Sequence, residues 1–383
     1  MLHIHNRHLF RLFAVLFILF SAAGAYCLEY SVSPHGYYLD IPEGWNVLQA
    51  EDPQLISFTD PQRAAVFQIK TFPGDSFSAA EDIYQSISEG LNASGDAAGY
   101  TYNGRDAVFA DLSFDPGGFT ARGYFIFIEG EKKDIALLTF TPEEQYNQYH
   151  DFLLSCLDSF REHENAVYRP GPVSQFYYPF PGENAERRNF SIFGSNNDVL
   201  IDSGEIDASQ VLIEREARVL VNFHKDRDSA WRRFYRQIYR DNYSRMEPLY
   251  EVLKTVVDER GITRRELPAK LLSWVQNYSY SRTETFADIL SPLEAALSLT
   301  GDCDSRGLVY ITLLHYFDID AILMVSMEYG HSVAAVDIKG KGARFQFEGT
   351  EYLIAETTEK VDLGLIASDM ADPAGWVPVD LRM

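Results

Sequence analysis

One cysteine of this chain stands in a setting that suits nucleophilic chemistry. Cys303 lies in the stretch TGDCDSRG, and the run LVYITLLHYF after it predicts a helix that begins at the cysteine. The nucleophilic form of a cysteine is the thiolate, which the N–H groups and the dipole at a helix N-terminus stabilise. Cys303 is therefore a candidate nucleophile for acyl transfer.

Two residues further along the chain suit the roles of partners to this thiol. His331 opens a predicted strand just after Gly330, where a glycine would let another segment approach closely. Glu356 is predicted on another strand of the same sheet. An imidazole can take up and return a proton, and a carboxylate can fix its tautomer and stabilise its charge. We expect Cys303, His331 and Glu356 to form a triad.

The acyl-transfer hypothesis also needs donors for the oxyanion that forms when a carbonyl is attacked. The backbone N–H of Cys303 is one candidate, and the side chain of Gln276, on the preceding predicted helix, is another. Asp302 and Asp304 flank the cysteine and disfavour its thiolate. A lowered pKa at Cys303 must therefore also come from an imidazolium at His331.

Other interpretations of these residues stay open at this stage. Cys303 could be a small core residue, and His331 could be a histidine held in the fold by hydrogen bonds. A metal site built from Asp302, Asp304 and His331 lacks the dense ligand spacing of known metal-binding loops. The three cysteines have no C-x-x-C spacing, so we predict no metal and no cofactor. His315, in the middle of the helix after Cys303, is predicted to be structural.

The elements that must position these residues read as helices followed by strands. One helix ends near Tyr278, a second begins at Ser291, and the third begins at Cys303. Its predicted buried face is Leu308, Val309, Thr312, Leu313 and Tyr316. The segments AILMVSMEYG, HSVAAVDIKG, ARFQFEG and EYLIAETTEKV then read as strands of an antiparallel sheet. Helices before a sheet indicate an α+β domain.

Four segments of this region resemble the transglutaminase-like superfamily. They are SWVQNYSY, SPLEAALSLTGDCDSRGLVYITLLHYFDIDAILM, GHSVAAV and YLIAETTEKVDLG. The superfamily has a papain-like fold and includes bacterial transglutaminase-like cysteine proteases. The resemblance implies Cys303 as nucleophile, His331 as general base and acid, and Glu356 as the third member. Gln276 would match a V-Q dipeptide often seen upstream.

The sequence departs from the superfamily pattern at two places. The third member is usually an aspartate, and the extra methylene of Glu356 requires a longer reach. The tryptophan that commonly follows the histidine is missing, and Ser332 and Val333 stand there. These departures weaken the expectation of cross-linking more than that of hydrolysis.

The N-terminal part of the chain reads as a separate α+β domain. Its strand candidates include YYLDIPEGW and AAVFQIKTF, and its helices are predicted from Ser78 and Thr141, each with a capping signal. Cys156 falls on the apolar stripe of the second helix. Residues 36–162 resemble the PsbP-like fold through GYYLDIPEGW, FTDPQRAAVFQI and FLLSCLDSF. That resemblance implies a binding or scaffolding module.

The region between these parts is predicted to be a linker with short structural elements. NFSIFG, DVLIDSG and ARVLVNF read as strands, and SAWRRFYRQIYRDNYSRM reads as an amphipathic helix. Trp231, Phe234, Tyr235 and Ile238 form its apolar stripe. The arginines on its other side suit either a solvated face or an anion or partner site. They are Arg232, Arg233, Arg236 and Arg240.

The N-terminus predicts export. Two arginines precede the short apolar run LFAVLFILF, and the SAAGA stretch that follows supplies small residues for cleavage near Ala25. An uncleaved anchor is the alternative, and Cys27 could carry a lipid. We expect a signal peptide at 1–25, a PsbP-like domain at 26–165, a linker region at 166–250 and a transglutaminase-like domain at 251–383. No transmembrane segment is expected after cleavage.

Composition narrows the class of partner. The formal net charge of −23 argues against a nucleic-acid binder and against docking to an anionic membrane.

Two function classes remain. One is an exported cysteine hydrolase or acyltransferase acting on amide bonds of a protein or peptide in the periplasm or cell envelope. The other is an inactive scaffold of the same fold, with a partner protein bound by the N-terminal domain.

Overall fold

The structure is a computed structural model. It describes residues 29–32, 36–42, 44–48, 52, 54–60, 62, 64–162, 168–223 and 226–382. The expected signal peptide and Cys27 lie outside these residues. In the part of the chain so described, no helix has both the length and the apolar composition needed to cross a membrane.

The described residues divide into two compact units, and the division differs from the predicted boundaries. Of the described residues, the first unit holds those up to 162 together with 171–179, 223 and 226. The second holds 168–170, 180–222 and 227–382. Most of the predicted linker region, 166–250, is therefore part of the same unit as the C-terminal residues, because its helices carry apolar stripes that are buried there.

The first unit is built on an antiparallel sheet of seven strands in the order β3-β4-β5-β9-β8-β7-β6. A smaller sheet has the order β1-β2-β10. The strands of the unit are β1 (Glu29–Val32), β2 (Tyr37–Asp40), β3 (Asn46–Leu48), β4 (Leu55–Thr59), β5 (Val66–Pro73), β6 (Ser94–Tyr102), β7 (Arg105–Phe114), β8 (Ala121–Ile128), β9 (Lys133–Pro142) and β10 (Arg161–Glu162).

Helices cover the large sheet because its strands are apolar on both faces. Neighbouring residues of a strand point to opposite faces. Phe125 of β8 lies in the core with Ile83, and the ring of Tyr124 packs at a tilt against that of Tyr146, with centroids 5.7 Å apart. The helices of this unit are α1 (Ala80–Leu91), α2 (Tyr146–Asp158) and α3 (Pro172–Tyr177).

The helix starts differ from the predicted capping boxes. α1 is capped at Ala79, whose side chain makes no capping hydrogen bond, so Ser78 is not the cap. A short 3-10 turn, Glu143–Gln145, separates Thr141 from the start of α2. Cys156 is fully buried in α2, as the apolar stripe predicted.

The second unit carries two sheets and a set of helices. One sheet pairs β11 with β12, and the other has the order β15-β16-β14-β13-β17 with every pair antiparallel. The strands are β11 (Glu186–Ile192), β12 (Ser195–Ile201), β13 (Ala321–Ser326), β14 (His331–Val336), β15 (Arg344–Phe347), β16 (Thr350–Ala355) and β17 (Val377–Val379). The helices are α4 (Ser203–Phe223), α5 (Arg227–Arg245), α6 (Glu247–Glu259), α7 (Leu267–Val275), α8 (Pro292–Ser298) and α9 (Cys303–Tyr316).

Two predictions for the middle region are wrong. ARVLVNF, predicted as a strand, is the last part of α4, because the helix that begins at Ser203 continues through its β-branched residues. The arginines of α5 do not form a solvated face, since Arg233, Arg236 and Arg240 are each at most 5% exposed. Arg233 reaches Glu216 of α4 at 3.0 Å. The buried apolar stripe of α5 is confirmed at Phe234.

α9 runs through the core of the second unit. It begins at Cys303 and packs against β13 and β14. Side chains on all sides of it are buried, including Tyr310 and Ile311, which the predicted face did not contain. Tyr316 is half-buried. A helix that is apolar all round is an internal helix, and each large side chain it buries stabilises the fold by roughly 1.5–3 kcal/mol.

His315 is held in this core as a neutral ring. Its Nε2–H donates to the carbonyl of Ala321 at 2.9 Å, and its Nδ1 lies 2.7 Å from the hydroxyl of Tyr239. Burial lowers the pKa of His315 to about 3. The histidine is structural, as its position in the middle of the helix predicted.

This burial predicts a pH-dependent stability. An unfolded histidine titrates near about 6.5, so below that pH the unfolded chain binds a proton that folded His315 does not. The stability from its neutral ring is present above about 6.5 and is lost as the pH falls toward about 3. In wild type, His315 makes the free energy of unfolding fall by about 1.4 kcal/mol for each pH unit below 6.5. We expect this part of the fall to be absent in His315→Gln.

Urea unfolding at a series of pH values measures this difference. His150→Gln, which changes a half-buried histidine on α2, is the matched control. Parallel curves for wild type and His315→Gln would contradict the assignment.

Candidate active site

The N-terminus of α9 places Cys303. Asp302 caps the helix, and its Oδ1 accepts the N–H of Ser305 at 2.9 Å. Gly301 precedes the cap with φ of +155°, and a Cβ there would lie 2.8 Å from the Cβ of Ser305. Only a glycine fits this approach. Cys303 therefore occupies the first helical position, where its own N–H has no acceptor within the helix.

A hairpin between β13 and β14 places His331. Ser326 pairs with His331 across the hairpin, and Gly330 precedes the histidine with φ of +58°. A Cβ on Gly330 would meet open space, so the expectation of a close approach at this glycine is wrong. The glycine is required by the left-handed backbone of the turn. The side chain of His331 is 15% exposed.

Glu356 lies just after β16 and not within a strand. Its Oε2 lies 2.8 Å from Nε2 of His331. Its Oε1 accepts the N–H of Thr358 at 2.7 Å and the hydroxyl of Thr358 at 2.6 Å. Both carboxylate oxygens are therefore engaged, and the carboxylate has a fixed direction toward the imidazole. The extra methylene of glutamate suffices for the reach that the sequence required.

The surroundings of His331 favour its charged form. Burial lowers the pKa of the imidazole, but hydrogen bonds with Cys303 and Glu356 outweigh burial and raise the pKa to about 10. Burial raises the pKa of Glu356, and the bond to His331 more than offsets this and lowers it. His331 with Glu356 therefore forms an imidazolium–carboxylate pair at neutral pH, and Cys303 lies beside the imidazole.

Gln276 supports Glu356 through the main chain. The residue caps the C-terminus of α7, and its Nε2 donates to the carbonyl of Glu356 at 2.8 Å. The same amide nitrogen donates to the carbonyl of Val361, also at 2.8 Å. Both amide hydrogens are thus directed at backbone carbonyls on either side of the loop after Glu356. The expected role as an oxyanion donor requires one of these bonds to be exchanged.

Arg306 is a buried cation beside the nucleophile that sequence reasoning missed. It is 1% exposed and one turn after Cys303 on α9. Its guanidinium donates to the carbonyls of Gly301 and Tyr278 at 2.9 Å and of Thr357 at 3.4 Å. These neutral acceptors leave its positive charge in place. Arg306 ties the loop before the cysteine to the segment that carries Glu356.

Two aspartates place negative charge next to the same thiol. The pKa of Asp302 is raised to about 6, mainly by burial and also by the nearby charge of Asp304. The hydrogen bonds from Ser305 lower this pKa but do not outweigh those two causes. Burial raises the pKa of Asp304. One ligand atom each of Asp302, Cys303 and Asp304 lies within 4.8 Å of the others, so this cluster could approach a cation. Its carboxylates already accept hydrogen bonds from Ser305 and Tyr235.

An aromatic ring supports the histidine from a distant part of the chain. The ring centroid of Trp376 lies 6.4 Å from that of His331, and its indole N–H donates to the carbonyl of Met370 at 2.9 Å. The expected tryptophan is absent just after the histidine. Trp376, immediately before β17, packs against the imidazole instead.

The structure brings the predicted site residues together in one unit. Cys303, His331 and Glu356 form a connected row, and Gln276 contacts the backbone of its last member. Sequence reasoning missed Arg306, Tyr235 and Trp376 as neighbours of the site. The only signal for Arg306 was its place one turn after the cysteine on a helix otherwise apolar.

No known protein family and no curated protein matches this chain. Weakly similar solved structures include the cyanobacterial PsbP (CyanoP) of Synechocystis sp. PCC 6803, 16% identical over 37% of this chain and 98% of its own, with a TM-score of 0.31. A protein from Bacteroides thetaiotaomicron VPI-5482 is 12% identical over 80% and 84%, with a TM-score of 0.25. A Pseudomonas aeruginosa protein of unknown function is 14% identical over 28% and 88%, with a TM-score of 0.23. Such low scores establish no shared fold. The chain is a mixed α+β protein with antiparallel sheets.

Glu356→Gln tests the electrostatics of the pair. Removing the carboxylate charge removes part of what raises the pKa of His331, so we expect the imidazole to titrate roughly one to three pH units below the wild-type value of about 10. Nitrogen chemical shifts of the ring, followed by NMR against pH, measure this. Glu351→Gln, an exposed change on β16, is the control and should leave the titration unchanged.

Gln276→Leu tests the support of the loop after Glu356. The change removes both hydrogen bonds and leaves the carbonyls of Glu356 and Val361 without this donor. We expect the free energy of unfolding to fall by about 1 to 3 kcal/mol. Urea unfolding measures the change, and the exposed neighbour Asn277→Leu is the control. Equal stabilities for the two variants would contradict this role.

Proposed function

We propose that this protein is a transglutaminase-like cysteine hydrolase or acyltransferase that acts on amide bonds through a thioester. One observation carries the proposal: Cys303 at the N-terminus of α9 lies beside His331 and helps to raise its pKa, and Nε2 of His331 lies 2.8 Å from Oε2 of Glu356. Nucleophile, base and orienting carboxylate in this order define a cysteine triad. The motifs around these residues, which resemble the superfamily, favour a papain-like core for this unit.

The chemistry follows from the row of three side chains. The thiolate of Cys303 attacks the carbonyl carbon of the amide, and the backbone N–H of Cys303 is directed to stabilise the oxyanion. The C–N bond then breaks, and the imidazolium of His331 gives its proton to the leaving amine. The thioester is resolved when His331 removes a proton from water or from a second amine, which attacks the same carbon. The product leaves, and Cys303 is again paired with a protonated His331.

Exposure of the triad suits a reaction on a chain segment that enters from solvent. Cys303 is 8% exposed and the side chain of His331 is 15% exposed, so an extended substrate can reach both while bulk water is largely kept away. Glu356, at 6% side-chain exposure, lies behind the histidine.

The substrate class and location rest on the sequence. The N-terminal signal favours export, so we propose a protein or peptide of the periplasm or cell envelope as substrate. The first unit, whose motifs resemble the PsbP-like fold, is proposed to bind a partner protein. A lipid on Cys27 remains the alternative to a fully released chain.

Alkylation by iodoacetamide tests the activated thiol. We expect Cys303 to react with an apparent pKa well below the value of about 8.5 for an ordinary cysteine, because the imidazolium of His331 stabilises its thiolate. The rate against pH is followed on the Cys303 peptide by mass spectrometry, which separates it from Cys156 and Cys27. His331→Ala should return the rate profile to that of an ordinary thiol, and His315→Gln is the matched histidine control.

The opposite result selects the second function class. If Cys303 titrates like an ordinary thiol whatever stands at position 331, the enzyme proposal fails. The unit is then a scaffold that has kept the triad geometry without an activated nucleophile, and the search turns to binding partners.

A further inference from the structure

The thiol of Cys303 has a second neighbour besides His331. Its Sγ lies 3.9 Å from Oδ2 of Asp304, in the position of a donor to that carboxylate. The other oxygen, Oδ1, accepts the hydroxyl of Tyr235 at 2.7 Å. Tyr235 is 1% exposed on α5, so this hydroxyl is fixed by the core and holds the carboxylate in place. Asp304 thus lies between a rigid donor and the nucleophile.

The charged and titratable groups around Asp304 come from several elements. On its own helix they are Asp302, Cys303 and Arg306. α5 contributes Tyr235, β14 contributes His331, and the loop before α8 contributes Arg282. Burial raises the pKa of Asp304, while the hydroxyl of Tyr235 and the cations oppose that rise.

An ionised Asp304 acts against the reaction that His331 promotes. When the thiol gives up its proton, two negative charges stand about 4 Å apart in a site with little water, and like charges at this range disfavour each other. While the thiol keeps its proton, the same carboxylate accepts it in a weak hydrogen bond. The thiol therefore has two opposing neighbours: the imidazolium of His331 favours the thiolate, and the carboxylate of Asp304 favours the neutral form.

We propose that Asp304, held by Tyr235, is a positioning residue whose ionised carboxylate disfavours the thiolate of Cys303 and so opposes the stabilisation that the imidazolium of His331 gives it. This inference rests on the proposed function, because it concerns the same nucleophile. Protonation of Asp304 removes the repulsion, so the imidazolium of His331 then acts on the thiolate without this opposition. A substrate group that displaces or protonates Asp304 would release the nucleophile in the same way.

The experiment compares Asp304→Asn with wild type in the iodoacetamide assay on the Cys303 peptide. Asparagine keeps the size of the side chain and removes its charge. We expect the apparent pKa of the thiol to move down by roughly one to two pH units, and the alkylation rate below the wild-type midpoint to rise about tenfold per unit. Rates at alkaline pH, where the thiol is already ionised, should stay the same.

Asp302→Asn is the matched control, because it removes a neighbouring charge while asparagine still caps α9. Its shift should be smaller, since the Asp302 carboxylate is already compensated by the N–H of Ser305. A loosened fold would raise the alkylation rate at every pH. A rise in the rate only below the wild-type midpoint therefore distinguishes the charge effect from a loosened fold. Thermal unfolding of each variant checks the fold.

An unchanged midpoint in Asp304→Asn, or a shift no larger than that of Asp302→Asn, would overturn the inference. Failure of the proposed function looks different, because it is read from wild type and His331→Ala alone. If those two proteins both titrate like an ordinary thiol, the enzyme proposal fails. The Asp304 variant still reports directly whether this carboxylate holds the thiol protonated.

Discussion

The contact between His331 and Glu356 is the interaction on which the site depends. The two side chains lie 2.8 Å apart with little exposure, and removing one partner of such a pair leaves an uncompensated charge in the interior. The fold holds the carboxylate from behind through Thr358 and holds its backbone through Gln276. The imidazole is therefore fixed in both direction and charge before any substrate arrives.

A charge balance around one sulfur follows from that fixed imidazolium. His331 and the buried Arg306 are the cations near Cys303, while Asp302 and Asp304 are the nearest carboxylates. Charged groups of both signs around one nucleophilic side chain are typical of functional sites.

Much of the order of elements could be predicted from the sequence, because it depends on local patterns. An apolar run at helical spacing predicted a helix that begins at Cys303, and the strand after Gly330 was predicted to begin at His331, and both starts are confirmed. Glu356 was expected on a strand but follows one, because strand ends are weakly encoded. The third predicted strand of the middle region is helical, because the helix that begins at Ser203 continues through its β-branched residues.

The remaining neighbours of the site could not be predicted, because they depend on contacts between distant segments. Tyr235 was recognised as part of an apolar stripe, and nothing local indicates that its hydroxyl reaches Asp304. Trp376 lies far along the chain from the histidine it packs against. The arginines of α5 also suited a solvated face by periodicity alone, but Arg233, Arg236 and Arg240 are buried, and Arg233 contacts Glu216 of α4.

The most direct test of the central claim is acylation of Cys303 itself. p-Nitrophenyl acetate offers an activated acyl group to any competent thiolate, and intact-protein mass spectrometry detects the bound acetyl. The account predicts rapid formation of one acetyl thioester at Cys303, its turnover by water, and slow acetylation in His331→Ala. Acetylation of Cys303 no faster than that of cysteine in solution, or equally fast without His331, would contradict it.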